Sequence, residues 1–532
     1  MSKFSPLFVI YSQQFLSMKH LLFTLLSLVA FIGSASAQLT EQQQIQKLNL
    51  AYQHIRNHYV DDILLEPLVD EAIRATLHEL DPHSQYLTRE EMERFRARLN
   101  GEFAGVGIRY IVHNDTLVVR SVLPNSPASR VGIMPNDRIV SINNNNVVGI
   151  DIEEAQKLLQ GAADSKLSID IVRRKEHKPL NISIKRDYIE SKGVSASYRI
   201  GDVGYIAIST FTKPLSNEVY SAYKALGDIK SLVIDLRDNG GGSLTAGIDL
   251  SSMFLTKGDL IASTDGKIGS NTYHKKQDRI TITTPLVVII NEGSASASEI
   301  FAGAIQDHDR GVLVGRTSFG KALVQRIYDL KDGSGLILTI ARAKTPSGRI
   351  IQRPYEMGKG EEYRKDEARY MHPDSIQHDN DVTFYTLHSG RKVYGGGGIT
   401  PDIYIAPDSI TLSQAIVEAH NSAMFEHAII DYLDTTNIDI LKREHHTIED
   451  FSKDYTLDNK LLNIFNRYIG EAELTDIDNR FIATMLKSLI AEHLYGSDAR
   501  YYIYSIDFDN TLGQAIAIAN DEELMHQTLT AH

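Results

Sequence analysis

The stretch PLVVIINEGSASASEIFAGAIQ, residues 285 to 306, limits what this chain can fold into more than any other. Leu286 to Ile290 is an unbroken apolar run of strand length, and a strand without polar alternation needs cover on both faces. From Ala297 to Ile305 small and apolar residues recur at helical spacing, so a buried strand feeds a helix through a turn that holds three serines. Across residues 188 to 410 other runs continue the alternation: VGYIAIS, NEVYSAYKALG, SLVIDL, TAGIDLSSMFL, GVLVG and KALVQRIYDL. Strand and helix in turn predict an α/β layer architecture for this region.

The flanking texture differs. Residues 38 to 100 carry helical periodicity in QQQIQKLNLAYQHIRNHYV and LVDEAIRATLHEL, stopping at Leu80-Asp81-Pro82, where proline disfavours helix in its predecessor. Residues 101 to 187 change to short alternating runs, GVGIRYIV, DTLVVRSVL, DRIVSINN and LSIDIVRR, with one helical segment, IEEAQKLLQ; this predicts a small β domain with a helix. PSGRIIQRPYEMGKGEEYRKDEARYMH reads as a polar surface excursion, and the glycine run of GRKVYGGGGITPDI is open to reading as a hinge. After about Ile410 helical patterns return, as in LSQAIVEAHNSAMFEHAIIDYL and RFIATMLKSLIAEHLY. Glu444-His445-His446 reads as solvated surface: adjacent side chains on a helix diverge by about 100° and no partner one turn away completes a metal site.

The net charge of −13 argues against a nucleic-acid surface, which needs clustered cations. At the N-terminus, Lys19 and His20 precede an apolar core from Leu21 to Ile32 and then Ala35-Ser36-Ala37, the order of a secretory signal peptide. Cleavage is expected after Ala37, with Met18 as the true start and no stable membrane span afterwards. Cysteine is absent, which removes disulfides and a thiol nucleophile from an exported chain.

Three serines at a strand-to-helix junction sit beside unpaired N–H groups and the positive end of a helix dipole, where an oxyanion is stabilised. Each serine singly also fits a helix cap, Ser298 before Glu299 best. A nucleophile needs a base. No G-x-S-x-G elbow supports a histidine triad, but Lys321 opens a β-like alternation in GVLVGRTSFGKALVQRIYDL, and Gln325 shares its strand face. Walls from Phe319, Leu323 and Val324 would lower the lysine pKa. Ser318-Phe319-Gly320-Lys321 fits an S-x-x-K pattern, which works on a helix; Gly320 before a β run, and the lack of companion S-D-N and K-T-G motifs, set it aside.

Taken together, GSASASEIFAGAIQDHDRGVLVGRTSFGKALVQ resembles the signature of the C-terminal processing peptidases, or tail-specific proteases. LDPHS, VGYIAIS, LVIDLRDNGGG and GGGGITPD resemble further family segments in the family's order, over residues 50 to 410. GVGI and SPASRVGIMPNDRIVSINN resemble a PDZ domain. The resemblance implies a multidomain α/β protein: signal peptide 1–37, helical region 38–100, PDZ domain 101–187, crotonase-like peptidase core 188–410 and a helical C-terminal region 411–532. It implies Ser296 as nucleophile, Lys321 as base and Gln325 as the residue orienting the lysine. Oxyanion donors would be the N–H of Ala297 and one from Gly241 or Gly242, while Gly105, Val106, Gly107 and Ile108 would bind a peptide carboxylate. No metal or cofactor is implied. The expected partners are protein substrates with accessible C-terminal tails, with an adaptor or homo-oligomer left open, and the expected location is a Gram-negative periplasm. The competing reading is a periplasmic PDZ scaffold or chaperone that binds tails without cutting them.

Overall fold

The computed structural model describes residues 40 to 531 apart from 175, 177, 277–279, 365–381 and 409, so the leader-like segment lies outside the described residues. The chain forms two compact units, residues 1–73 and 74–532. In the first, the helix Glu41–His58 starts on a capping box in which Thr40 and Gln43 exchange side-chain-to-backbone hydrogen bonds.

In the second unit the run expected to be helical up to residue 100 is broken by a strand. Buried Asp81 accepts from the amides of His83 and Ser84 (both 2.8 Å) and from the Ser84 hydroxyl (2.6 Å), closing a turn. The chain leaves that turn extended as Gln85–Leu87, paired with the long strand Gly335–Lys344, before the helix Arg89–Asn100 begins. A turn centred on one carboxylate overrides weak helical periodicity.

Residues 101–187 contain a small antiparallel sheet in the order Ile108–His113, Thr116–Val122, Arg138–Ile142, Lys166–Val172, Leu180–Lys185. The flanking strands Glu102–Gly105 and Asp187–Glu190 pair with each other, so both ends of the domain return to one place. Ile108–His113 is an end strand, paired on one side only among the described residues.

The largest sheet runs Val194–Ile200, Val203–Ile208, Ser231–Asp235, Leu286–Ile290, Val312–Gly315, Ile403–Tyr404; the first pair is antiparallel and the rest parallel. Alternate residues face opposite sides, as strand geometry requires. Leu232, Ile234, Leu286, Val288 and Ile290 pack with the helices Leu215–Ala225, Leu244–Ser252 and Ala297–Asp307. Val233, Val287, Ile289, Val312 and Val314 pack into a second core built from helices beyond residue 411, including Met424–Thr435, Asp476–Tyr495 and Ser497–Phe508. The C-terminal region is therefore the second cover of the sheet. A buried ion pair ties it to the strand ends: Arg237 donates to both Asp235 and Asp509, at 2.6 Å each.

A second, antiparallel sheet joins Leu323–Asp329, Gly335–Lys344, Leu260–Gly266 and Gly269–His274. The expected surface excursion after Pro346 is partly interior: Arg349 is fully buried and paired with Asp307 (2.6 Å), and Ile351 is buried. The polarity of its first half is spent on buried partners, Arg349 on Asp307 and Arg353 on Tyr363 O, while Glu356 to Lys359 are exposed. Its continuation over residues 365–372 lies outside the described residues. The glycine run is no hinge either, since Gly395, Gly397 and Gly398 are buried and Gly398 packs against the Ser318 carbonyl. None of the helices among the described residues is long and apolar enough to cross a membrane.

Candidate active site

The strand Leu286–Ile290 ends in a turn whose three serines have different fates. Ser294 is fully buried, its hydroxyl donating to Leu236 O (2.7 Å) and accepting from Asn291 N–H (3.0 Å). Ser298 is also fully buried, and its hydroxyl donates to Asn239 O (2.8 Å). The sequence favours Ser298 as the cap, but the N-cap position belongs to Ser296, and Ser298 instead stitches the serine turn to the glycine loop. Only Ser296 is partly exposed and lines a cleft of about 850 Å³. Its backbone is at φ 60° and ψ −111°, a region that non-glycine residues visit only when the surroundings hold them there.

What holds it is Glu299, one turn into the helix and buried. Its carboxylate accepts from Ser296 N–H (2.8 Å), Gly320 N–H (2.6 Å), Lys321 N–H (2.8 Å) and the Ser318 hydroxyl (2.5 Å). One side chain thus fixes the serine turn and the lysine turn to each other. Burial pushes the Glu299 carboxyl above its ordinary range while these donors pull it back. Ser318 is accounted for as well: it donates to Glu299, accepts from Ile399 N–H (2.7 Å) and is fully buried, which explains why its S-x-x-K spacing has no access to the cleft.

Lys321 lines the same cleft as Ser296, with Gln325, Leu323 and Val324 on its wall. The regular strand begins at Leu323 rather than at Lys321, and a bulge in the pairing falls between Val324 and Gln325, yet both side chains reach the cavity. The Lys321 amine has no hydrogen-bond partner among the described residues. Burial pushes its pKa down, with the charges of Glu299 and Asp81 opposing. Gln325 makes a long contact from Nε2 to Thr339 Oγ1 (3.4 Å), and Thr339 in turn donates to Asp81 (3.1 Å). The LDPHS turn therefore stands behind the lysine and glutamine.

The glycine loop meets the serine turn at close range. A Cβ on Gly241 would lie 2.6 Å from Ala295 O and 2.9 Å from Ala297 N, and its φ is +95°, so only glycine fits. The Gly241 N–H is donated to Asn239 Oδ1 (2.9 Å). The N–H groups of Gly242 and of Ala297, the first residue of the helix, have no partner among the described residues, and Gly242 lines the cleft. Asn239 is fully buried and anchors the loop, donating to Ile208 O (2.7 Å) while its carbonyl accepts from Ala295 N–H (2.9 Å). Neither Glu299 nor Asn239 was singled out by sequence reasoning; the Ser-x-x-Glu spacing of a capping box was the available signal for the first.

Away from the cleft, Gly105, Val106, Gly107 and Ile108 form the turn into the end strand of the small sheet. The carbonyls of Val106 and Gly107 accept from Ala128 and Leu123 (2.8 and 2.9 Å), and their N–H groups have no partner among the described residues. Gly107 has φ +81° and abuts Ser126, where a Cβ would clash at 2.2 Å. Glu444, His445 and His446 form no metal-binding group among the described residues.

Comparison with known proteins matches residues 202–359 to peptidase family S41, residues 118–173 to the PDZ domain and residues 21–91 to the activating protease CtpB N-terminal domain. A carboxy-terminal-processing protease of Bartonella bacilliformis is 36% identical over 319 residues, covering 58% of this chain and 73% of that protein. The carboxy-terminal processing protease CtpA of Bacillus subtilis is 32% identical over 327 residues, covering 61% and 70%. Among solved structures, a photosystem II D1 C-terminal processing protease aligns over 57% of this chain and 83% of its own, with 29% identity and a TM-score of 0.33. With a relative above 30% identity matched over nearly three quarters of its length, this chain belongs to the carboxy-terminal-processing proteases of peptidase family S41, serine peptidases that carry a PDZ domain.

Proposed function

We propose that the protein is an exported endopeptidase, placed in a Gram-negative periplasm, that takes hold of protein C-terminal tails through the PDZ domain and cleaves with a Ser296–Lys321 dyad. The observation that carries this reading is Ser296, the one serine of three open to the cleft, facing a space shared with a lysine whose pKa burial has lowered. Neutral Lys321 accepts the Ser296 proton as Oγ bonds to the scissile carbonyl carbon. The resulting oxyanion is held by the Ala297 N–H and by Gly242, the glycine of the pair whose amide is uncommitted. Collapse breaks the C–N bond, Lys321 passes its proton to the leaving amine, and water attacks the acyl ester with Lys321 again as base. Gln325, backed by Thr339 and Asp81, positions the lysine. The unpartnered amides of Val106 and Gly107 receive the tail carboxylate, and the end strand beside them pairs with the tail.

The test is digestion of an unfolded protein with apolar C-terminal residues, followed by mass spectrometry. The parent cuts, Ser296→Ala loses at least about 10³-fold in kcat/KM, and Ser298→Ala retains cleavage. In the parent, kcat/KM rises with pH as Lys321 loses its proton and levels off below the ordinary lysine pKa of about 10.4. Tail binding without cleavage by the parent would instead favour the scaffold.

A further inference from the structure

The end strand Ile108–His113 is the edge on which a tail would be added, and it is open for only part of its length. Gly107 O faces the neighbouring strand, accepting from Leu123 N–H (2.9 Å). The extra residue in that pairing, Arg120, lies on the neighbouring strand, so Ile108–His113 itself keeps a regular two-residue alternation. Counting from Gly107, the carbonyls of Ile108, Tyr110 and Val112 therefore point to the open edge. The third of them is taken. His427, on the helix Met424–Thr435, donates from Nε2 to Val112 O at 3.0 Å. Its ring packs on His113, with centroids 5.0 Å apart, and buried His113 contacts Asp431 on the same helix at 2.9 Å.

The contact sits in a broader clasp between the PDZ domain and the C-terminal helices. Arg120 pairs with Glu492 (2.5 Å), Arg138 with Asp434 (2.5 Å), and Arg174 donates to Leu433 O (2.6 Å). The bonds to Asp434 and Leu433 hold the helix Met424–Thr435 at the end of the strand, where the His427 imidazole occupies the place of the next backbone donor.

We propose that His427 is a length-setting residue for tail recognition: it plugs the third pairing position of the PDZ edge, so that the domain reads about the last four residues of a tail and leaves the preceding chain unpaired. This rests on the tail-binding reading above. A tail whose carboxylate is held at Val106 and Gly107 sets its last residue against Ile108, its third-last against Tyr110 and its fifth-last against Val112. The first two find a free carbonyl; the fifth-last meets an acceptor already bonded to His427. Chain upstream of that point is released from the sheet edge and stays extended and mobile, as a cleavage site requires.

The experiment is an N-methyl scan of one apolar octapeptide with a free carboxylate, titrated by fluorescence polarisation into the full chain carrying Ser296→Ala. Methylation of the last or third-last amide is expected to weaken binding about fivefold or more, the loss of one backbone hydrogen bond, while methylation of the fifth-last amide changes nothing. In His427→Ala the fifth-last amide should acquire a penalty of its own; His427→Leu, which keeps the helix packed but removes the donor, should behave alike. A fifth-last penalty already present without the His427 substitution, or absent in both His427 variants while the unmodified octapeptide still binds, overturns the plug and leaves tail binding intact. No binding of the unmodified octapeptide overturns the tail-binding reading and this inference with it.

Discussion

The two faces of the main sheet are made of the same strands and the same residue types, yet only one of them carries the proposed site. On one side Val288 and Ile290 pack with the serine helix; on the other, Val287 and Ile289 pack against helices from the C-terminal region. The serine face ends in strain, unpartnered amides and a lysine whose charged form burial disfavours. The C-terminal face is held by aromatic stacks, such as Phe425 on Phe465 at 4.4 Å, and by the side-chain caps Thr447 and Thr475. One layer stores the cost of the site and the other offsets it, a division that lets a strained turn persist in a folded chain.

The most severe perturbation removes one face. Deleting residues 411–532 exposes Val233, Val287, Ile289, Val312 and Val314, which at about 1.5 to 3 kcal/mol per buried side chain together amount to most of a protein's net stability. The truncated chain is expected to aggregate or to lose its cooperative melt in circular dichroism. A truncated protein that melts cooperatively and still cleaves would show that the second cover is dispensable.

A finer cut uses neighbours in one strand. Ile289→Ala and Ile290→Ala each empty a fully buried site and should each cost about 2 to 5 kcal/mol in urea unfolding. They should part company in activity per folded molecule. The Ile290 side chain packs in the core that holds Ala297 and Phe301 of the serine helix, so Ile290→Ala should lower kcat several-fold, while Ile289 packs with the C-terminal helices, so Ile289→Ala should leave it near the parent value. Equal losses of kcat would mean the two faces are not separable.

How far this division was legible follows from the same residues. An apolar run without alternation, Leu286 to Ile290, foretold cover on both faces, and the serine-turn helix and the Lys321 segment were found from spacing and resemblance. That the second cover is the C-terminal region was not foretold, because an amphipathic helix announces an apolar face but not the surface it will meet. The roles of Asp81, Glu299 and Asn239 escaped notice because their work is to accept or donate bonds across turns distant in sequence: Glu299 reaches 21 and 22 residues ahead to Gly320 and Lys321, and Asn239 meets the Ser298 hydroxyl 59 residues on. The choice among the serines, which spacing alone leaves open, becomes a matter of burial, since Ser294 and Ser298 have none of their surface in the cleft.

The finest effect is expected at the lysine itself. Lys321 holds its proton up to about pH 10.4 in the unfolded chain but gives it up sooner when folded, because burial disfavours the charge. Between the folded pKa and about 10.4 the unfolded state binds more protons, so stability rises with pH across that window, and below the folded pKa the full destabilisation is present. Lys321→Met removes the charge and keeps the apolar stem. It should therefore abolish cleavage while raising the thermal midpoint at pH 7 by a few degrees, an increment that shrinks toward zero as pH approaches about 10. A midpoint that falls, or an increment independent of pH, would mean that Lys321 is an ordinary packing residue. A rise that fades with pH would place the strain of this sheet on its serine face, where the chemistry uses it.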